Sequence, residues 1–328
     1  MRLLGVELRR LAARRLIVLV LLGGLAATVL IVVGAWFSAQ PPTEAQLAEA
    51  QTMYEQELEY WEQNGEQMVT DCLESEEVDS ELEGEDVDYG CDQMAPQLEW
   101  FLPYSPPLEE VFTSNLTTMA FLPVMLMLII GVTVTAAELS TGTMSTWLTF
   151  VPRRTRVVLS KITASALVAV PLTALIMALV VGGLYGVYAF HGTTGTISVG
   201  LWTEVVWIAL RTIALGAVTA AVGSALGVLL RHTAVALGLV FVWSVVVEQI
   251  LRGTAPGLQP YLLSMNLIAW VQGGTSYWIN ECRDSADGVL CEGIERTLSM
   301  GAASIYLGVG TVVVLLLATL VFRRRDVG

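Results

Sequence analysis

The sequence predicts an all-α polytopic membrane protein with six transmembrane helices. Three observations carry this reading. The 328-residue chain is 54% hydrophobic with a mean hydropathy of +0.64, too apolar for a soluble domain. Six apolar runs are each long enough to cross a bilayer as a helix, at roughly 16–37, 115–137, 157–190, 202–230, 233–251 and 301–322. No Lys or Arg occurs from position 16 to 152, and then Arg153, Arg154, Arg156 and Lys161 follow within nine residues.

The N-terminal stretch "MRLLGVELRRLAARR", residues 1–15, sets Leu3, Leu4, Leu8 and Leu11 on one helical face and arginines on the other. That pattern predicts an amphipathic interfacial helix on the inner membrane surface. The first span, 16–37, ends in "AWFSAQ". Large residues stand where a signal-peptide cleavage site needs small ones, so the span is expected to be a retained anchor.

Basic residues favour the cytoplasmic side. With the N-terminus inside and six spans counted, 13 of the 17 basic residues fall inside. Arg211, Arg252, Arg283 and Arg296 fall outside or within spans. Both termini are therefore expected in the cytoplasm. The long base-free stretch becomes a span, an external segment and a second span.

The external segment, 38–112, is an acidic insert. Of the 31 acids in the chain, 21 lie between Glu44 and Glu110, which accounts for most of the net charge of −14. Thr43 and Gln46 form a capping-box pattern, and Leu47, Tyr54, Leu58 and Trp61 recur at helical spacing. A helix is predicted near 44–63, stopped by Asn64-Gly65. The run "ESEEVDSELEGEDVDYG" that follows is expected to be solvated and poorly ordered. Its carboxylates lack the twelve-residue loop spacing of a calcium site, so no metal site is assigned.

All four cysteines fall outside on this topology, where oxidation is permitted. Four cysteines allow three connectivities. Nearness in sequence favours Cys72–Cys91 and Cys282–Cys291, and four free thiols are the alternative.

Residues 113–251 carry spans two to five and a cytoplasmic loop at 138–156. Residues 252–300 form the last external segment. Within it "YLLSMNLIAWV", 261–271, is too short to span, follows Pro256 and Pro260, and is flanked by Trp270, Tyr277 and Trp278. A re-entrant or interfacial segment is expected there. Residues 301–328 supply the sixth span and a basic tail. Two charged pairs sit in or near spans: Glu204 with Arg211 on one helical face, and Glu248 with Arg252 at i,i+4 spacing. Both suit interface pairing better than a proton relay, which would need carboxylates nearer the midplane.

Catalytic constellations are missing. The two histidines, His191 and His232, fall at opposite ends of spans, and no H-E-x-x-H occurs. "GAAS", 301–304, faintly resembles a membrane serine-protease motif, but no histidine is placed to serve it. The sole lysine, Lys161, follows Ser160, so no G-x-x-x-x-G-K-[ST] phosphate loop exists. The chain is expected to be no enzyme, to hold no catalytic residue, and to leave nucleotide hydrolysis to another polypeptide.

The stretch "ELSTGTMSTWLTFVPRRTRVVLSK", Glu138 to Lys161, resembles the first cytoplasmic loop of the permease subunits of type-2 ABC exporters. The resemblance rests on Glu138, Gly142, Thr143, Leu148, Thr149, Pro152, Arg153, Arg154, Arg156 and Lys161. The remaining architecture agrees with it, and the large external insert is similar to actinobacterial members. The resemblance implies that 138–156 couples the spans to a separate ATPase. Met144, Trp147 and Leu148 would fill a groove on that partner, and Arg153, Arg154 and Arg156 would meet its acidic residues or lipid phosphates. It further implies two ATPase copies that bind ATP and Mg, with no cofactor on this chain. A second permease, giving a homodimer, would enclose a path for an amphiphilic substrate such as a drug, peptide or lipid. A multi-pass protein of the bacterial plasma membrane is expected, in contact with lipids and not with nucleic acid. The alternative is a membrane-anchored sensor or immunity protein that binds an external ligand through the acidic insert.

Overall fold

A computed structural model describes residues 2–84, 86–142, 153–285 and 288–324, with side chains for these except 2–3, 12, 83, 280–285 and 288–292. Two compact units are present, one made of residues 1–36 and 108–328 and the other of 37–107.

The first unit opens with α1 (Arg2–Ala12) and α2 (Arg15–Ser38). The long helices α4 (Leu108–Ser140), α5 (Arg154–His191) and α6 (Val199–Leu230) follow. Next come α7 (Thr233–Phe241), a π-helical turn (Val242–Val247) and α8 (Glu248–Thr254), one continuous helical run. A 3₁₀ turn (Pro256–Tyr261) leads into α9 (Leu263–Gln272), a hairpin of β1 (Gly274–Ser285) and β2 (Gly288–Ser299), and α10 (Met300–Arg324). Among the described residues, six helical stretches are long and apolar enough to span a membrane: α2, α4, α5, α6, α7 through α8, and α10.

Helices α4 and α6 form the centre, and α2, α7–α8 and α10 are the least covered by protein. Lipid is as apolar as leucine, so close van der Waals packing must hold the central pair. Small residues permit it. A side chain at Gly131 would run into the Ala220 carbonyl, one at Gly223 into the Leu128 carbonyl, and one at Gly227 into Thr135. Thr135 Oγ1 also donates to the Ser224 carbonyl at 2.8 Å across the interface. Towards one end of the bundle, Val157, Val158 and Ile162 of α5 meet Ala225 and Val228 of α6 and Phe322 of α10.

The α1 helix has the amphipathic pattern expected, but its apolar side faces protein. Leu11 is buried, and Leu4 and Leu8 pack on a cluster containing Met127, Ile130 and Val134 of α4 and Ala164 of α5. Two residues, Arg231 and His232, separate α6 from α7. Arg231 makes that tight turn in the left-handed region at φ 58°, a conformation side chains with a Cβ seldom adopt.

The second unit is built on α3 (Glu44–Glu83). Its Thr43–Gln46 capping box is formed, with both reciprocal hydrogen bonds. The expected stop at Asn64-Gly65 does not occur, and the helix continues 18 residues beyond Gly65. The Asn64 side chain donates to the Tyr60 carbonyl at 2.9 Å instead of capping. Gly65 lies against the Trp61 indole, where a Cβ would come within 2.8 Å of the ring. The acidic run expected to be poorly ordered is therefore helical as far as Glu83. The segment after the helix folds back on it: Val87 N–H donates to Ser80 Oγ at 2.9 Å and the Tyr89 hydroxyl to Asp79 at 2.6 Å. A disulfide joins Cys72 to Cys91 with Cα atoms 5.8 Å apart. Tyr54 and Phe101 make an edge contact.

Candidate functional site: a buried ion cluster joining three helices

Glu138 lies in the last turn of α4, and Lys161 lies two turns into α5. Both are buried, at 3% and 1% exposure, and so is Glu7 of α1 at 2%. Lys161 Nζ donates to Glu7 Oε1 at 3.0 Å and to Glu138 Oε2. The other carboxylate oxygen of Glu138 accepts from Arg14, whose second guanidinium nitrogen donates to the Val134 carbonyl at 3.0 Å. Arg10 lies 3.8 Å from Glu7 and 3.6 Å from Glu138. Glu7, Lys161, Glu138 and Arg10 thus close a ring, with Arg14 as a fifth member.

This placement is not explained by helix stability. A carboxylate in the last turn of a helix opposes the helix dipole, which favours cations there. Buried charges also carry a large desolvation cost that only good pairing offsets. Glu138 is held despite both terms, because its two oxygens face two separate groups of cations. The result fastens α1, α4 and α5 at the base of the bundle. The cluster is a set of mutually connected ion pairs, suited to holding three helices in register.

Of the residues singled out from the sequence, Glu138 and Lys161 are in this cluster. Gly142 follows α4 with φ 69°. Arg153 precedes α5, and Arg154 and Arg156 lie in its first turn, with Arg153 and Arg156 exposed. Thr143, Met144, Trp147, Leu148, Thr149 and Pro152 lie outside the described residues. The roles of Glu7, Arg10 and Arg14 were missed by sequence reasoning. The available signal was Glu7 itself, the one acid among the five arginines of residues 1–15.

A second buried carboxylate organises the far side of the unit. Glu248, 1% exposed, accepts from the backbone N–H groups of Leu263 at 2.8 Å and Ser264 at 3.0 Å, and from the Trp243 indole at 3.1 Å. It caps α9, whose own N-cap residue, Leu262, has no side chain able to do so. At the other end of α9, Arg211 donates to the Val271 carbonyl at 3.3 Å, and the Trp270 indole donates to the Arg211 carbonyl at 3.1 Å. A carboxylate at the N-terminus and a guanidinium at the C-terminus both complement the dipole of α9. The expected Glu248–Arg252 pair is not made, because three N–H donors already hold the carboxylate. Arg252 donates to Ser264 Oγ at 3.2 Å instead. Glu204 and Arg211 share a cleft of about 360 Å³ without an ion pair among the described residues.

Cys72, Glu76 and Cys91 converge, but the two sulfurs are bonded to each other, leaving one carboxylate as a possible metal ligand. Cys282 and Cys291 are Cα partners in the β1–β2 register.

No curated protein matches the chain. The model of the family described as ABC-2 family transporter protein matches residues 7–327, from the first buried acid of the cluster to the basic tail. With that match and six apolar helices of spanning length, the chain belongs to the ABC-2 transporter family as a type-2 ABC permease, a multi-pass membrane transport subunit.

Proposed function

We propose that this permease serves an ATP-driven exporter of the bacterial plasma membrane and moves an amphiphilic substrate such as a drug, peptide or lipid. Two copies of a separate ATPase bind ATP and Mg and perform the hydrolysis, since this chain lacks a phosphate loop. A second, identical permease completes the path, because six spans are half of the set the reading requires. Both termini and the segment 138–156 face the cytoplasm, and the acidic insert lies outside.

The observation that carries this reading is the ion cluster. It ties the ends of α4 and α5, on either side of residues 143–152, to each other and to α1. A push delivered to that segment by closing ATPases would reach three helices as one body. The close α4–α6 packing would carry it into the bundle. Trp147 is the anchor assigned to the ATPase groove, where truncating a buried Trp commonly costs about 2 kcal/mol or more, roughly thirtyfold in affinity.

The test uses the complex purified from its native host, with Trp147→Ala and Glu138→Gln each confirmed to insert normally. Loss of ATPase co-purification in the first, and loss of substrate-stimulated ATP hydrolysis in either, is expected. Full retention of both properties in both variants removes the coupling assignment.

A further inference from the structure

A cavity of about 890 Å³ lies among α4, α6, the π-helical turn, α9 and α10. Met125, Leu215, Trp243, Leu267, Tyr306 and Gly310 are among its walls. Apart from the hydroxyls of Ser244 and Thr311, the side-chain polar atoms of these walls are engaged within the protein. Thr219 Oγ1 donates to the Gly216 carbonyl at 3.1 Å, the Trp243 indole to Glu248, and the Tyr306 hydroxyl to the Tyr261 carbonyl at 2.9 Å. The surface left facing the cavity is nearly all hydrocarbon.

Such a space does not stay empty. The cost of an unfilled apolar cavity grows with its volume, and water enters only where polar partners await it. Around spanning helices the abundant apolar filler is the lipid chain. A charge suited to a lipid headgroup lies beside the cavity. Leu263 lines it, and the adjacent Ser264 accepts from Arg252. Arg252 is half-buried, and one of its guanidinium nitrogens is committed to Ser264. A partly exposed guanidinium matches a phosphate oxygen.

We propose that this cavity holds an acyl chain of a bilayer phospholipid, with the lipid phosphate at Arg252. The π-helical turn forms part of the wall, and a widened turn of this kind commonly marks a functional position. Trp243 in that turn shares Glu248 with the N-terminus of α9, so the occupant lies against the contacts that hold α9. This goes beyond the exporter reading and does not rest on it, because lipid occupancy requires no ATPase.

The experiment places the full chain in nanodiscs of phosphatidylglycerol carrying a photoactivatable diazirine midway along one acyl chain. Adducts are then mapped by mass spectrometry. Adducts at Met125 and Leu267 are expected in excess over Leu30, an outward residue that is 70% exposed. Gly310→Phe is the blocking variant, since a Cβ there meets nothing within 4 Å and the new ring has room to enter. It should lower the cavity adducts about tenfold and leave those at Leu30 unchanged, the loss expected from displacing a few methylene contacts. Leu267→Phe repeats the block from α9, and size-exclusion profiles confirm that both variants fold. Arg252→Gln should lower cavity labelling about tenfold with the phosphatidylglycerol probe but not with a diacylglycerol probe bearing the same chain. Cavity adducts no more frequent than those at Leu30, or unchanged in both blocking variants, overturn the acyl-chain site. Equal loss with both probes in Arg252→Gln overturns the phosphate assignment.

Discussion

Glu138 and Lys161 stand on either side of residues 143–152, and their side chains meet in a buried ion pair that also takes in Glu7 of α1. Among the described residues, three cations and two carboxylates share the cluster, and this charge balance predicts an order of sensitivity. Glu138→Leu leaves three cations with a single carboxylate, whereas Lys161→Met leaves two of each. Removing one partner of a buried pair typically costs roughly 3–5 kcal/mol, and Glu138→Leu should fall in that range. Lys161→Met should cost less, about 1–3 kcal/mol, because Arg10 and Arg14 remain to meet the carboxylates. Unfolding measured in one nanodisc composition checks this. A larger loss for Lys161→Met would show that charge balance does not govern the cluster.

Glu7 separates coupling from docking. It lies in the cluster but on α1, outside the segment assigned to the ATPase. Glu7→Gln should therefore keep the ATPase bound while lowering substrate-stimulated hydrolysis several-fold, in line with losing about 1 kcal/mol from a charged hydrogen bond. Co-purification and hydrolysis assays on one preparation read both properties. If binding is lost with activity, α1 belongs to the docking surface itself.

Much of this architecture is legible in the chain, for physical reasons that differ by element. The six spans stand out because about 20 apolar residues in succession have few alternatives in a bilayer. The ion cluster does not stand out. An amphipathic pattern shows that α1 has two faces, not which of them another helix covers. The arginines of residues 1–15 therefore suggested lipid headgroups, while Arg10 of α1 and Arg14 just after it in fact face Glu138. The length of α3 was misjudged because Asn-Gly is a strong local stop. Here Trp61 lies over the glycine, and good helix formers continue on both sides. The β1–β2 hairpin was missed because its strands are polar. The alternation of Thr275, Tyr277 and Ile279 and the Asp-Gly at 287–288 were the available cues.

Close packing of α4 against α6 predicts sharp steric limits. Gly131→Leu and Gly223→Leu would each drive a side chain into the facing backbone carbonyl. Backbone cannot yield as a flexible side chain can, so each should cost at least about 3 kcal/mol or prevent folding. Gly238→Leu is the control, since nothing lies within 4 Å of a Cβ there. Size-exclusion profiles and thermal midpoints in detergent distinguish them. Tolerance of Gly223→Leu would mean the two helices do not approach as closely as described.

The Glu248 cap predicts local opening of α9. Glu248→Ala leaves two backbone N–H groups and the Trp243 indole without their acceptor, at about 1–3 kcal/mol for each buried donor left unpaired. Hydrogen exchange at residues 263–266 should accelerate accordingly. Glu248→Gln keeps one carbonyl acceptor and should show an intermediate effect. Exchange that is unchanged in the alanine variant would remove Glu248 as the cap.

Cys282 and Cys291 are Cα partners in the β1–β2 register. Directly opposed residues of an antiparallel pair have Cα atoms about 4.5–5.5 Å apart, within the range a disulfide bridges. With the hairpin on the external side, oxidation is favoured, and a Cys282–Cys291 bond is expected beside Cys72–Cys91. Their effects should differ. The Cys72–Cys91 bond closes a separation of 19 residues and should contribute roughly 3 kcal/mol to its unit by restricting the unfolded chain. The Cys282–Cys291 bond closes a loop of about half that length, where the same relation gives a somewhat smaller gain. The hairpin is in addition already ordered by its ladder. Peptide mass spectrometry on protein alkylated before reduction identifies the bonds, and thermal unfolding of Cys72→Ser and Cys282→Ser compares their effects. Cys72→Ser should destabilise the 37–107 unit more than Cys282→Ser affects the hairpin. Alkylation of Cys282 and Cys291 without reduction would place two free thiols across the hairpin and count against the external topology.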